Sequence, residues 1–386
     1  MTYLKKGFDF MSILKEKFSP FRADIVGSFL RPDYLKEARA NYKNGKITKL
    51  ELKSIEDFAI RNLVSKQKEI GLSVITDGEF RRSWWHLDFM WGLNGIKKIE
   101  LDDGYKFHDE TTRAESVIVC GKISGENHPF IEDFKFLKAL EDSNVIARQT
   151  IPAPAQLLAE LQRGDNLTET KKYYNNDNDL IHDIAAAYKT VILDLYNAGC
   201  RNIQLDDCTW GMFCDTKYWN ARQYESTSID AIAESYVKLN NLSIDGLPSD
   251  LHITTHVCRG NYHSTWASSG GYAPIAPYLF GKENVSAYYL EFDDNRSGDF
   301  EPLKYINNNK KVVLGLITSK NPSLEDREMI ISRINEASKY VPLNNLCLSP
   351  QCGFASTEEG NKLTEDEQWK KIKLVLDIAS EVWGEK

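Results

Sequence analysis

The chain has 386 residues, 42% hydrophobic and 27% charged, which excludes disordered, fibrous and disulfide-stapled miniature classes and leaves material for a sizeable core. Its 48 basic and 56 acidic residues give a net charge of -8, and no basic block forms the stripe that nucleic acid or an anionic bilayer requires. Seven cysteines, an odd number, fit reduced thiols serving a metal or catalysis better than a disulfide framework.

The opening segment MTYLKKGFDFMSILKEKF breaks its apolar residues with charge, and no later stretch approaches the ~20 apolar residues of a membrane span. The expectation is a cytoplasmic protein whose partners are small molecules, with neither nucleic acid nor membrane among them. Short runs rich in β-branched residues then recur: ADIVGSF from 23, SVITDGE from 73, VIARQTI from 145, NIQLDD from 202, LHITTHVC from 251, SAYYLEF from 286, KVVLGLIT from 311 and NLCLSP from 345. Amphipathic helical segments lie between them, such as 47–71, 181–199, 323–340 and 366–384, and several close on glycine. No Pro/Gly/Ser-rich linker divides the chain, so one domain over 1–386 is expected. Strand and helix alternating eight times predict the α/β class and a (β/α)8 TIM barrel. The Gly-rich first turn of an open dinucleotide-binding sheet is missing. ESVIVCGKI, from 115, is an extra strand or hairpin inserted before the third barrel strand.

Catalytic groups of a barrel gather at the C-terminal strand ends. The ends here carry Gly27-Ser28, Asp77-Gly78-Glu79, Asp206-Asp207, His256-Val257-Cys258, Glu291 and, past the eighth strand, Cys352. Residues two apart on a strand share a face, so His252, Thr254, His256 and Cys258 point into the barrel while Ile253, Thr255 and Val257 face the helices. An imidazole and a thiol on one face suit a borderline-soft ion, and Glu291 and Cys352 would complete a tetrahedral zinc shell. Taken singly, each has a plainer reading: a packing thiol, a satisfied core histidine or a surface carboxylate. Cys120, Cys200, Cys208, Cys214 and Cys347 read as packing or incidental thiols. His86, His108, His128, His182 and His263 lack ligand spacing, and His252 reads as core.

The GS turn, DGE, IQLDD, HVC, the strand-end Glu291 and QCG, in this order, resemble the C-terminal catalytic barrel of the cobalamin-independent methionine synthases. The resemblance runs from GSFLRP at 27 to QCGF at 351, most of the chain. It implies zinc on His256, Cys258, Glu291 and Cys352, with Ser28 holding the homocysteine carboxylate and Glu79 and Asp206 receiving its ammonium. It also implies methyl transfer from 5-methyltetrahydrofolate, as the polyglutamate, to the homocysteine thiol, giving methionine. Rim carboxylates with no Lys or Arg beside them in sequence would suit such an ammonium.

Two departures stand out. The family's D-x-H-S-P segment, whose histidine is assigned to proton transfer, is replaced by GLITSKNPSLED, with Thr318, Ser319 and Lys320, which leaves Ser319 as the candidate. The third strand ends IPAPAQLL, without the aromatic that sits beside the pterin. A corrinoid-bound or other methylated donor, a zinc hydrolase and a non-catalytic zinc-stabilised barrel are the alternatives. Residues 259–284, rich in Ser, Gly and aromatics, are expected to form a lid or pocket wall.

Overall fold

A computed structural model of the chain describes residues 18–217 and 228–384. The opening segment read above, apart from its last residue, lies outside the described residues. Among the described residues, ten strands follow in chain order: β1 (Val74–Ile75), β2 (Asn94–Glu100), β3 (Glu115–Ser124), β4 (Ile146–Ala147), β5 (Gln149–Pro152), β6 (Asn202–Asp207), β7 (His252–Val257), β8 (Ala287–Glu291), β9 (Lys311–Ile317) and β10 (Leu346–Pro350).

The strands from β5 to β10 form one parallel sheet in sequential order. Parallel to β1 lies β4, which continues past Arg148 into β5. Single parallel bridges, Ala23 to Leu348 and Ser28 to Gly78, join the 23–28 segment to β10 and to the turn after β1. The parallel strands therefore run around a (β/α)8 barrel, as the alternation predicts.

The first expected strand is not a regular one, and the reason is chemical. Its backbone groups are satisfied by side chains from inside the barrel. Asp24 accepts from the amides of Phe21 and Ile25 at 2.9 and 2.7 Å, while Arg148 donates to the carbonyls of Ile25 and Val26. Gln204 Nε2 and Thr76 Oγ1 donate to the carbonyls of Val26 and Gly27 at 2.7 and 2.6 Å. A segment whose polar groups are paired this way gains little from a continuous ladder. Arg148 also meets Asp24 at 2.8 Å and Tyr289 Oη at 2.7 Å, all three buried.

Helices cover the outside of the barrel. The one over Lys49–Ile70 opens with a capping box between Thr48 and Glu51 and closes on Gly71 at φ 97°, where a left-handed residue is needed. Thr364 and Glu367 form the same box at the start of Glu365–Trp383. The extra piece from 115 is one arm of an antiparallel hairpin whose other arm is β2. Its tip reaches across the C-terminal face, where the His108 amide donates to the Trp266 carbonyl at 2.8 Å.

Candidate metal centre and cavity

Two adjacent strand ends and the turn after β10 bring four side chains together. His256 lies one residue before the end of β7 and Cys258 one residue beyond it, Glu291 ends β8, and Cys352 follows β10. One potential ligand atom from each lies within 4.8 Å of all the others, and all four residues are buried. The two sulfurs are 3.7 Å apart.

The remaining atoms of these groups are already spoken for. His256 Nδ1 stands 3.3 Å from the Tyr289 carbonyl, which can only accept, so Nδ1 carries the hydrogen and Nε2 keeps its lone pair. Glu291 Oε1 accepts from the Arg259 amide at 3.1 Å. His256 Nε2 and Glu291 Oε2 are left buried without a hydrogen-bond partner. Each such orphan costs about 1–3 kcal/mol, and two of them converging with two thiols are what a cation would satisfy. Thiol hydrogen bonding and burial hold Cys258 and Cys352 well above the ordinary thiol range, so neither forms a thiolate there without a positive partner. One nitrogen, one oxygen and two sulfurs fit zinc and similar soft divalent ions far better than magnesium or calcium.

A cavity of about 510 Å³ opens onto this cluster and is also lined by Ser28, Glu79 and Asp206. Glu79 sits at φ 61° in the DGE turn, a left-handed position that fixes where its carboxylate points. Its Oε1 accepts from Thr150 Oγ1 at 3.0 Å, while Oε2 is buried without a hydrogen bond. Asp206 accepts from Gln204 Nε2 at 2.7 Å. Desolvation raises both carboxyls to about 7, and the charge of Asp206 adds to the rise at Glu79. Although no Lys or Arg adjoins these carboxylates in sequence, a cation does stand beside Glu79 in space: Arg82, three residues on, lies 3.3 Å from Oε1. Ser28 Oγ accepts from the Ala355 amide at 3.3 Å. A side chain at Gly353 would collide with it, since a Cβ there would lie 1.9 Å from Oγ; this is why the turn after Cys352 needs glycine.

Ser319 is fully buried, donates to the Gly353 carbonyl at 2.9 Å and is absent from the cavity lining. The other surprises concern residues read as incidental. Cys208 is half-buried and lines the cavity, so it is no packing thiol. His86 lines the cavity between Trp84 and Trp85, with Nε2 3.2 Å from Tyr105 Oη, and burial lowers its pKa to about 3. The aromatics missing at the end of β5, the expected third barrel strand, arrive from elsewhere: Trp84 and Trp85 after β1, Tyr105 and Phe107 from the hairpin tip, Phe213 and Tyr236 after β6. Tyr262 and Ala267, in the stretch expected to be a lid or wall, line the cavity too. A single sequence contained these rings but not the fact that they meet.

Residues 21–380 match the family described as the cobalamin-independent synthase catalytic domain. The chain belongs to this family. Protein YxjH of Bacillus subtilis is 45% identical over 370 residues, covering 96% of either chain. Methionine synthase of Saccharolobus solfataricus is 23% identical over 364 residues, covering 90% of this chain and 96% of its own. A crystal structure from Listeria monocytogenes, provisionally described as a vitamin-B12-independent methionine synthase, superposes with a TM-score of 0.75 at 41% identity, covering 95% of this chain and 99% of that one. The B12-independent methionine synthase of Shewanella sp. W3-18-1, in complex with selenomethionine, shares the fold at a TM-score of 0.70 and 20% identity, over 94% of this chain and 98% of its own. Within the synthase family this chain is of the methyltransferase type, and no helix among its described residues is long and apolar enough to cross a membrane.

Proposed function

We propose that the protein transfers a methyl group to the thiol of homocysteine, forming methionine, at a zinc ion held by His256, Cys258, Glu291 and Cys352. The observation that carries this reading is the four-atom cluster within 4.8 Å, with its two orphaned buried donors, at the floor of a cavity that also holds Glu79 and Asp206. Zinc bound there would supply the nucleophile, because a coordinated thiol loses its proton. Cys258 and Cys352 make the site electron-rich, which favours attack on carbon over activation of water and weighs against a hydrolase.

Glu79 Oε2 and Asp206 offer acceptors for the substrate ammonium, and Ser28 is the candidate partner of its carboxylate. The aromatic walls exclude water from the reacting carbon and give a flat donor surfaces to stack on. The resemblance points to 5-methyltetrahydrofolate, as the polyglutamate, for that donor. A corrinoid-bound or other methylated donor is the second reading. The observation favouring it is the withdrawal of Ser319 from the cavity, which leaves no side chain after the seventh strand to protonate a pterin. The Shewanella relative, which holds the selenium form of methionine, supports the product assignment.

The test incubates zinc-loaded protein with homocysteine and, in turn, methyltetrahydrofolate, its polyglutamate, methylcobalamin and other methylated compounds, and measures methionine. Turnover with at least one donor is expected, with loss in Cys352→Ser. No methionine from any donor defeats the transferase reading in favour of the non-catalytic barrel.

A further inference from the structure

The cavity beside the metal cluster carries more aromatic surface than an amino-acid acceptor needs. Six rings stand on its wall in three pairs: Trp84 with Tyr105 at 5.8 Å between centroids, Phe107 with Tyr262 at 5.5 Å, and Phe213 with Tyr236 at 5.5 Å. Two of these rings already hold a cation on one face. The Arg113 guanidinium lies 4.9 Å over Trp84 and that of Arg163 4.1 Å over Tyr105. Such ring faces are electron-rich, and a cation that has shed its water gains most from them.

Charge points the same way. On the wall, Arg163 stands 3.6 Å from Glu160, and Asp103 and Lys106 are exposed at the hairpin tip, so the carboxylates of the deep end are Glu79 and Asp206. Arg82, 3.3 Å from Glu79, offsets one of them. Homocysteine brings an ammonium and a carboxylate and adds no net charge. At the ion, the thiolates of Cys258 and Cys352, the carboxylate of Glu291 and the substrate thiolate outweigh a divalent cation, which leaves the reacting centre anionic. An anionic nucleophile in a cavity of low dielectric favours a methyl donor of the opposite charge. The wall is also poorly equipped to protonate a departing pterin nitrogen. Burial lowers His86 to about 3, so it is neutral, and holds the Tyr105 phenol well above its usual range. Glu79 and Asp206 are kept ionised by the ammonium they receive, and Ser319 is turned to the Gly353 carbonyl.

We propose that the six-ring half of the cavity binds a methylated onium cation, a sulfonium or quaternary ammonium group, and that this cation is the methyl donor. The proposal rests on the transferase reading above and gives its second donor a chemical class. The substrate sulfur attacks the onium methyl. A bond forms between that sulfur and the methyl carbon, and the bond from the carbon to the donor's sulfur or nitrogen breaks. Its electron pair stays on the donor atom, which leaves as a neutral thioether or tertiary amine. The proton of the substrate thiol goes to solvent, and nothing is oxidised or reduced. The leaving group needs no proton, which matches a wall without a suitable acid, and opposite charges cancel in the transition state, which a desolvated site favours.

The experiment measures binding and turnover with zinc-loaded full-length protein. Calorimetric titration compares dimethylsulfoniopropionate and glycine betaine, each with the analogue in which carbon replaces the charged atom. At least one of the two cations is expected to bind roughly tenfold tighter than its neutral-headed analogue, and Tyr105→Leu combined with Phe107→Leu to narrow that preference at least threefold. Equal affinity of cation and analogue, or a preference unchanged in the double variant, overturns the site. Turnover is then followed as methionine formed from homocysteine with these two compounds, S-methylmethionine, methyltetrahydrofolate and methylcobalamin. Methionine from an onium compound is expected, and which of them serves separates sulfonium from quaternary ammonium. Methionine from methyltetrahydrofolate or methylcobalamin alone overturns the proposal and spares the transferase reading. No methionine from any donor overturns both.

Discussion

Glu79 shows most directly how burial and function pull on one group. Its folded-state pKa of about 7 lies above the usual 4.5 because desolvation outweighs the nearby Arg82. Whatever stability the group contributes is fully present below 4.5 and lost as pH rises through about 7. An ammonium bound at Oε2 favours the ionised form, so binding of the amino-acid substrate should strengthen as pH rises through 7 and release protons below it. Calorimetry in buffers of different ionisation enthalpy checks this; proton release unchanged in Glu79→Gln would assign it to another group. At the cluster, Cys352→Ser removes one of two close sulfurs. Changes to groups that merely orient ligands already cost roughly 10–100-fold in metal affinity, and loss of a ligand should cost at least as much. Zinc content after dialysis against a competing chelator measures it.

At the scale of elements, two features depend on contacts between segments remote in sequence. The 23–28 segment is held by Arg148, whose guanidinium pairs with Asp24 and caps two carbonyls inside the barrel. Arg148→Met leaves Asp24 buried without its charge partner, a change that costs about 3–5 kcal/mol. Urea denaturation should show a lowered midpoint, and a midpoint equal to wild type would mean that Asp24 finds other compensation. The inserted hairpin, by contrast, belongs to the cavity. Tyr105, at its tip, contacts His86 and the guanidinium of Arg163, which lies 4.1 Å over its ring. Tyr105→Ala should raise the KM for the methyl donor roughly two- to tenfold, the equivalent of ~0.5–1.5 kcal/mol of aromatic contact, while zinc content stays the same. Steady-state kinetics with metal analysis of the same samples separates the two effects.

For the molecule as a whole, the cluster ties the ends of β7 and β8 to the turn after β10. An ion bound only by the folded state stabilises it by mass action, about 2.7 kcal/mol when its concentration is 100 times Kd. Scanning calorimetry should therefore show a higher Tm with zinc than after chelation, and a smaller difference in Cys352→Ser. Identical Tm values for zinc-loaded and stripped wild type would mean that no ion bridges these strands.

The alternation of strands and helices, the face on which His256 and Cys258 lie, and the order of the strand-end motifs could all be read from the chain. Side-chain direction along a strand is local, and a barrel always sends its strand ends to one rim. The broken first strand could not be read, because ADIVGSF has ordinary strand propensity and the groups that satisfy its backbone come from Arg148, Gln204 and Thr76. Nor could the cavity. Its aromatic walls come from the turn after β1, the hairpin and the segments after β6 and β7, and Cys208 looked incidental until it was found lining the cavity. Burial and desolvation follow from what packs around a group, so the raised carboxyls of Glu79 and Asp206 arise only when distant segments close over them. Periodicity along the backbone determined the barrel and its donor-bearing rim; the folding of remote loops over that rim decided which of those donors share one cavity.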